Sequence, residues 1–230
     1  MKYIYIILLF LLKSTLCLAQ ENQIKEVDSL YKEDQFYAGV TYNLFGDKPN
    51  DLNQNGFSLG FHIGFIKDMP INKNRDLAIG LGIGYSVNSY NQDLLINQNS
   101  FGGFTYNIIE NTNTFSKNTF TNHLIEIPLE FRWRTSTASD YSFWRIYTGI
   151  KVGYLFNNKS NYKGDLGHLK YTNNKDFNAL QYGLTLSAGY NTWNFFLYYG
   201  LNPIFSKDVK IDTKNLNINA IKIGLMFYIL

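Results

Sequence analysis

The chain has 230 residues, of which 17% are aromatic and 18 are glycine, whereas only four are proline. Its 21 lysine and arginine residues and 18 acidic residues give a net charge of +3, too small to indicate a nucleic-acid-binding surface. We therefore exclude nucleic acid as a partner. We expect one β-rich domain rather than several domains joined by a linker.

The first 19 residues have the features of a secretory signal peptide. Lys2 is followed by an apolar run over residues 3–12, and we expect cleavage after Ala19. The apolar run is shorter than the roughly 20 residues that a membrane-spanning helix needs. Cleavage would remove Lys2, Lys13 and the one cysteine, Cys17, and would lower the net charge from +3 to +1. The mature chain would then have neither a disulfide nor thiol chemistry.

A polar segment, residues 20–34, follows the predicted leader. Four apolar residues recur within it at helical spacing: Ile24, Val27, Leu30 and Tyr31. This spacing predicts a short helix or an ordered periplasmic lead-in before the first strand.

The remaining chain, residues 35–230, alternates between two kinds of residue with the period of a β-strand. The predicted strands cover residues 36–44, 57–66, 77–88, 124–134, 143–156, 180–190, 193–201 and 221–229. Because successive strand side chains point to opposite faces, one face is aliphatic and aromatic, and the other carries Gly, Ser, Thr, Asn and charged residues. Residues 89–121 form the longest connection. They either extend the neighbouring strands or hold an extra hairpin around 94–96 and 104–109, which would make ten strands instead of eight.

The glycines decide which face meets lipid. A soluble barrel would pack its large apolar residues inside, and its outer face would then be studded with glycine, which packs against nothing. A narrow membrane barrel instead needs glycine on its inner face, because glycine makes room in the lumen for long charged side chains. We therefore predict an all-β fold, a transmembrane antiparallel up-and-down β-barrel of eight strands in contact with outer-membrane lipid.

Connection lengths agree with this prediction. Long polar connections at 45–55, 89–121, 157–176 and 206–217 alternate with shorter ones at 67–76, 135–142 and 191–192. Outer-membrane barrels combine long external loops with short periplasmic turns in the same way.

Two sets of residues are expected to mark the membrane boundary and the lumen. An interfacial aromatic girdle is predicted beside the shorter turns, at Trp133, Trp144 and Trp193. An ionic network is predicted inside the barrel, formed by Glu126, Glu130, Arg132, Arg134, Arg145, Lys151 and Lys222. A symmetric turn in the central hairpin would place Glu126 opposite Lys151. A shift of two residues would instead place Glu130 opposite Arg145, and the sequence leaves both registers open.

The sequence gives little support for catalysis. His62 shares a strand face with Ser58, but no third residue is placed to orient the histidine as a base. His123 and His168 show no metal-ligand spacing, and the Gly-x-Gly runs lie in mid-strand instead of opening a helix. We therefore predict a non-enzymatic protein without catalytic, cofactor-binding or metal-binding residues.

Three segments resemble the PorT family of Bacteroidota outer-membrane proteins. They are DSLYKEDQFYAGVTYN, the hairpin from LIEIPLEFRWR to FWRIYTGIKVGYLF, and LQYGLTLSAGYNTWNFFLYYGLNPIF. The resemblance implies an outer-membrane barrel associated with the type IX secretion system, which exports proteins and supports gliding in some members. It implies secretion-machinery proteins as partners and no catalytic residues. The alternative is a small porin-like channel or a structural envelope protein.

Overall fold

The computed structural model describes residues 32–135, 143–211 and 214–229. The predicted leader, the predicted lead-in helix and the tip of the central hairpin lie outside the described residues. Within the described ranges, no helix has the length and apolar character needed to cross a membrane.

The described chain consists mostly of β-strands. They are β1 (Gln35–Gly46), β2 (Leu59–Pro70), β3 (Leu77–Asn91), β4 (Leu94–Gln98), β5 (Phe104–Ile108), β6 (Phe115–Arg134), β7 (Trp144–Gly164), β8 (Gly167–Thr172), β9 (Leu180–Tyr190), β10 (Trp193–Pro203), β11 (Lys210–Ile211), β12 (Lys214–Asn215) and β13 (Asn219–Ile229). A 3-10 turn, Thr112–Thr114, precedes β6.

Eight of these strands close into an antiparallel barrel in the order β1, β2, β3, β6, β7, β9, β10 and β13. The closing pairs are β6 with β7 and β13 with β1. The predicted eight-stranded barrel is therefore confirmed. The hairpin within residues 89–121 also forms, but in the described chain β4 pairs with β5 alone and adds no strand to the wall.

The apolar face of the barrel strands points outward. The five outward residues of β6 between Ile125 and Trp133 are 38% to 50% exposed, whereas Glu126, Glu130 and Arg132 between them are at most 5% exposed. Five alternate positions span about 27 Å along a strand, or about 19–22 Å along the axis of a tilted barrel. This height is close to that of the apolar band of a membrane barrel.

The two ends of the barrel differ in their connections. We call one end the short-turn end, which holds the connections at residues 71–76, 135–143 and 191–192. The other is the long-loop end, with connections at residues 47–58, 92–114, 165–179 and 204–218. The two-residue turn at 191–192 requires a positive φ, and Asn191 adopts one of 55°.

The barrel wall rises higher at the long-loop end than the sequence pattern predicts. Residues 157–176 were expected to form a polar loop, but β7 continues to Gly164 and turns back through Gly167 into β8. A β-bulge, with Phe156 as the extra residue, lies where this extension begins. Because neither face beyond the bulge is apolar, hydrophobic alternation could not reveal the strand.

Candidate functional site in the barrel lumen

Buried side chains fill the lumen in three successive groups. The arginine cluster, at the short-turn end, comprises Glu33, Gln35, Asp68, Glu130, Arg132 and Arg134. The central cluster comprises His62, Glu126, Lys151 and Lys222. The aromatic plug, at the long-loop end, comprises Phe45, Tyr90, Phe120, Phe177 and Phe205. All these residues are at most 8% exposed, and β6 contributes to each group.

Asp68 is the centre of the arginine cluster. Arg134 binds it through two parallel hydrogen bonds, Nη1 to Oδ1 and Nη2 to Oδ2, both 2.8 Å long. Arg132 Nη1 donates to the same Oδ1 at 3.0 Å. All three side chains are fully buried. Bidentate arginine–carboxylate pairs are strong and directional, so this carboxylate fixes two guanidinium groups in one geometry.

The other donors of both arginines also have partners. Arg132 Nε donates to Glu130 Oε2 at 3.2 Å, and its Nη2 donates to Gln35 Oε1 at 2.8 Å. Arg134 Nη1 lies 3.5 Å from Glu33 Oε2. These partners come from β6, from the first residue of β1 and from the segment just before β1, so the cluster links distant parts of the wall.

Aromatic rings complete this end of the lumen. Arg132 Cζ lies 4.2 Å from the centroid of the Tyr147 ring, and Arg145 Cζ lies 4.4 Å from that of Phe143. Arg145 faces Arg134 in the β6–β7 ladder. Within the described residues, Arg145 makes cation–π contacts and no ion pair, so it borders the arginine cluster without joining its hydrogen bonds.

Two inward glycines provide the space that these long side chains need. A Cβ atom added to Gly80 would lie 2.9 Å from Arg132 Cδ. One added to Gly84 would overlap the hydroxyl of Tyr37, whose ring also lies against Gly64 of the intervening strand β2. Glycine on the inner face therefore makes room for large groups, as its pattern in the sequence indicates.

Glu126 stands among basic side chains in the central cluster. Its Oε2 lies 3.1 Å from Lys151 Nζ and 3.6 Å from His62 Nδ1. Its Oε1 accepts a hydrogen bond of 2.7 Å from Ser86 Oγ and lies 3.9 Å from Lys222 Nζ. A buried carboxylate with this environment keeps two ammonium groups from being left unpaired.

Neither predicted register of the central hairpin is correct. In the ladder, Glu126, Glu130 and Arg145 face Gly153, Gly149 and Arg134, respectively. Lys151 nevertheless reaches Glu126 diagonally from two residues along its strand. Alternation specifies which face a side chain occupies, but a shift of two residues leaves that face unchanged, so the pattern could not select the register.

The seven residues of the predicted ionic network lie in two groups. Glu130, Arg132, Arg134 and Arg145 lie at the short-turn end, and Glu126, Lys151 and Lys222 lie in the central cluster. Sequence reasoning missed Asp68, because residues 67–76 were interpreted as a turn. If the strand had been extended beyond residue 66, residue 68 would have been assigned to the same inward face as His62, because it lies three alternate positions further on.

The three tryptophans of the predicted girdle lie on the outer surface at the short-turn end. Trp133, Trp144 and Trp193 are 38%, 60% and 64% exposed. The Trp144 ring contacts Tyr190 with centroids 5.3 Å apart, and the Trp193 ring contacts Phe227 at 4.9 Å. Outward aromatic rings at this end occupy the place of an interfacial belt.

The aromatic plug is organised around Phe120. Its ring centroid lies 4.9 Å from that of Tyr90, 5.3 Å from Phe177, 5.6 Å from Phe205 and 6.0 Å from Phe45. Two of these partners belong to the wall and two to long connections. The plug therefore closes the long-loop end by attaching loops to the barrel.

The hairpin formed by β4 and β5 is held over the plug by polar contacts as well. Tyr106 Oη donates to Asp176 Oδ2 and accepts from Asn174 Nδ2, both at 2.8 Å. Burial of the phenol, together with its hydrogen bond to Asp176, raises the pKa of Tyr106 well above its usual value. The phenol accordingly remains neutral and holds two residues of the neighbouring connection.

The residues considered for catalysis do not form a nucleophile–base pair in the described chain. Ser58 Oγ accepts from the backbone amide of Asn91 at 2.9 Å. The ring nitrogens of His62 instead approach Thr41 Oγ1, at 3.1 Å, and Glu126. Across the ranges that the structure describes, no group of three or more His, Cys, Asp or Glu residues is arranged to hold a metal ion.

A closed antiparallel barrel with an apolar exterior and a charged lumen defines a transmembrane β-barrel protein. Residues 18–206 match the family model described as outer membrane protein beta-barrel domain. The chain belongs to this family and is an outer-membrane β-barrel protein. Its short-turn end therefore faces the periplasm and its long-loop end faces the cell exterior.

Two solved structures are similar to this chain at a low level. Ail, the attachment invasion locus protein of Yersinia pestis, is 12% identical with a TM-score of 0.38, over 87% of this chain and 100% of that chain. Ail in complex with the heparin analogue sucrose octasulfate is 11% identical with a TM-score of 0.34, over the same shares. Comparison with curated proteins found no match.

Proposed function

We propose that this protein is a non-enzymatic, non-conducting outer-membrane barrel that supports protein secretion through the type IX system. The secretion role is supported by the resemblance of three long segments to the PorT family. The observation that carries the proposal is the occupied lumen, because a barrel without an open interior must act through its exposed loops or turns.

Side chains occupy the lumen at both ends. Arg132 and Arg134 are fully buried near the periplasm, and Phe120 and Phe205 are fully buried near the exterior. These groups would have to separate before a solute could pass. Separation would break hydrogen-bonded ion pairs at one end and expose aromatic surface at the other, and both changes are costly. This argument disfavours the porin-like alternative.

Two external hairpins present apolar residues that suit a protein partner. Phe101, at the tip between β4 and β5, is 98% exposed, and Leu166, at the tip between β7 and β8, is 57% exposed. The hairpins are joined, since Tyr171 Oη donates to Asn97 Oδ1 at 2.8 Å and the Tyr171 ring contacts Phe104. Exposed large apolar residues on a supported surface are typical of protein contact sites. We propose that the secretion machinery contacts this pair of hairpins.

The decisive experiment is deletion of the gene, followed by comparison of secreted and cell-surface proteins with those of the parent strain. Loss of surface cargo, with accumulation in the periplasm, is expected. Complementation would use the unaltered protein, the double variant Phe101→Ser/Leu166→Ser, and Ile71→Ser as a control. Ile71 is 56% exposed in a periplasmic turn, so this control removes an exposed apolar side chain from the opposite end.

The outcomes separate the parts of the proposal. Normal secretion without the gene would refute the secretion role. A defect with Ile71→Ser but not with the double variant would move the contact site to the periplasmic turns. Steady single-channel conductance of the purified protein in planar bilayers would contradict the non-conducting lumen and favour the porin-like alternative.

A further inference from the structure

The outward face of the wall changes from apolar to basic where β6 and β7 leave the membrane. Up to the bulge residue Phe156, this face carries Ile125, Tyr154 and Phe156 itself, which are 44% to 57% exposed. Above it lies a set of residues that we call the basic face, Lys117 of β6, Lys159 and Lys163 of β7, and His168 and Lys170 of β8. The basic face is thus continuous with the lipid-facing surface and lies on its external side.

The β-bulge determines that the lysines of β7 point outward. In the membrane, the outward residues of β7 are even-numbered, and Tyr154 is one of them. Beyond the extra residue Phe156 the parity reverses, so Lys159 and Lys163 point outward, while Ser160 and Tyr162 are buried. Without the bulge, both lysines would point toward the loops above the lumen.

Two like charges, those of Lys163 and Lys117, face each other across this wall. On its other side, Lys163 lies opposite His168. Directly opposed residues have Cβ atoms about 5 Å apart, and like charges at this distance destabilise a sheet. Among the described residues none of the four lysines forms an ion pair with a carboxylate. The nearby Asp165, in the β7–β8 turn, accepts a hydrogen bond from Tyr162 instead.

The border between the apolar and basic parts has the composition of a membrane interface. Tyr85 Oη lies 2.7 Å from His123 Nδ1, and the rings of Tyr85, His123 and Phe156 form one outward group. Such amphipathic rings mark the level of lipid headgroups. Lys159 lies three residues beyond Phe156, or about 10 Å along the strand, which places its ammonium group at or just above the headgroups.

We propose that the basic face binds the phosphate groups of the anionic glycolipid in the outer leaflet, lipopolysaccharide. Three facts select a lipid: the face is continuous with the lipid-contacting surface, it lies beyond an aromatic border, and its side chains point away from the lumen. Phosphate between Lys117, Lys163 and Lys170 would relieve their mutual repulsion, since lysine is a common phosphate ligand. This proposal is independent of the secretion role.

The test compares two variants that lose the same charge. K117Q/K159Q/K163Q removes three lysines of the basic face, and K207Q/K210Q/K214Q removes three exposed lysines of the loop between β10 and β13. Binding of purified lipopolysaccharide to each folded protein in neutral detergent would be measured by its effect on the unfolding temperature and by direct titration. Dephosphorylated lipopolysaccharide and the phosphorylated oligosaccharide without its lipid part serve as comparison probes.

The variant K117Q/K159Q/K163Q is expected to keep or gain stability without lipid and to lose affinity for lipopolysaccharide. Without anionic lipid, K117Q/K159Q/K163Q should be at least as stable as the unaltered protein, because a like-charge contact is removed. With lipopolysaccharide, its affinity should be roughly 10- to 100-fold lower, and added salt should weaken binding of the unaltered protein. The K207Q/K210Q/K214Q variant should bind normally.

Three results would overturn the proposal. They are an equal loss of affinity in both variants, an undiminished affinity for dephosphorylated lipopolysaccharide, and equally tight binding of the oligosaccharide without lipid. The last result would identify a site for soluble polyanions instead of a lipid site. Because stability without lipid is measured separately, a folding defect cannot imitate a loss of binding.

Discussion

The arginine cluster and the aromatic plug close the same lumen by different interactions. In the arginine cluster, Asp68 and the two guanidinium groups occupy fixed positions on strands of the wall or at their ends. In the aromatic plug, Phe120 of the wall gathers Phe177 and Phe205 from long connections. Charged hydrogen bonds are directional and require a rigid frame, whereas apolar contact is non-directional and can collect loops of different length.

This difference indicates a division of labour. The periplasmic end, where connections are short, depends on the geometry of neighbouring strands. The external end, where connections are long, depends on burial of aromatic surface. Disrupting the first should destabilise the whole barrel, and disrupting the second should mainly release the loops.

The largest effect is expected from Asp68→Asn. Two buried guanidinium groups would lose their shared charge partner, and breaking a buried pair in this way costs about 5 kcal/mol. Urea unfolding in detergent micelles, followed by circular dichroism, would measure the change. Asp208→Asn, at an exposed site of the long-loop end, is the matched control and should leave the transition unchanged. Equal stability of the two variants would show that Asp68 does not support the wall.

Glu126→Gln is expected to lower the free energy of unfolding by about 4 kcal/mol, because Lys151 and Lys222 would remain buried without a carboxylate. The double variant Glu126→Gln/Lys151→Met should recover part of the loss, since it also removes one unpaired charge. Thermal unfolding of the two variants in micelles would measure both values. Strictly additive losses would mean that the two side chains act independently.

Phe120→Ala is expected to destabilise the long-loop end by about 3 kcal/mol, through lost burial and a cavity among four rings. The loops should open while the barrel remains folded, so limited proteolysis near residues 99–103 should accelerate more than global unfolding. Phe101→Ala removes an equally large ring that is 98% exposed and should have no such effect on the plug. If the loops and the whole barrel of the Phe120→Ala variant were destabilised equally, the result would contradict the proposed division of labour.

The smallest effect is expected from Tyr106→Phe, which removes the hydrogen bond to Asp176 at a cost of about 1 kcal/mol. Because the pKa of Tyr106 is raised above its ordinary value near 10, the folded hairpin favours the neutral phenol. Its contribution should be complete below pH 10 and should decline as the pH rises further. Protease sensitivity of the hairpin between pH 8 and roughly pH 11 would follow this decline.

Tyr154→Phe is the control for that measurement, because Tyr154 is an outward residue, 57% exposed, and remote from the hairpin. The unaltered protein and this control should lose protection above pH 10, whereas Tyr106→Phe should show a weaker dependence on pH. The same pH dependence in all three proteins would assign the effect to other groups.

The alternation of apolar and polar residues along the strands was sufficient to predict the barrel. It could not predict the stretches of strand in which this alternation is absent. The eight wall strands, their inward and outward faces and the lengths of most connections follow from a period of two residues. The extension of β7 to Gly164 has polar residues on both faces, and Asp68 lies in a stretch that resembles a turn. Both were missed because polar residues carry the same pattern in a loop as in the part of a strand that lies outside the apolar band.

The sequence by itself determined the fold class, the orientation of each strand and the presence of charged residues in the lumen. Only the tertiary structure decided which charges meet. A shift of two residues preserves every inward side chain, so the pairing of Glu126 with Lys151 depends on the register of the β6–β7 ladder. The aromatic plug likewise joins residues more than 80 positions apart, such as Phe120 and Phe205. Their contact depends on barrel closure, because only the closed wall brings those loops over one opening.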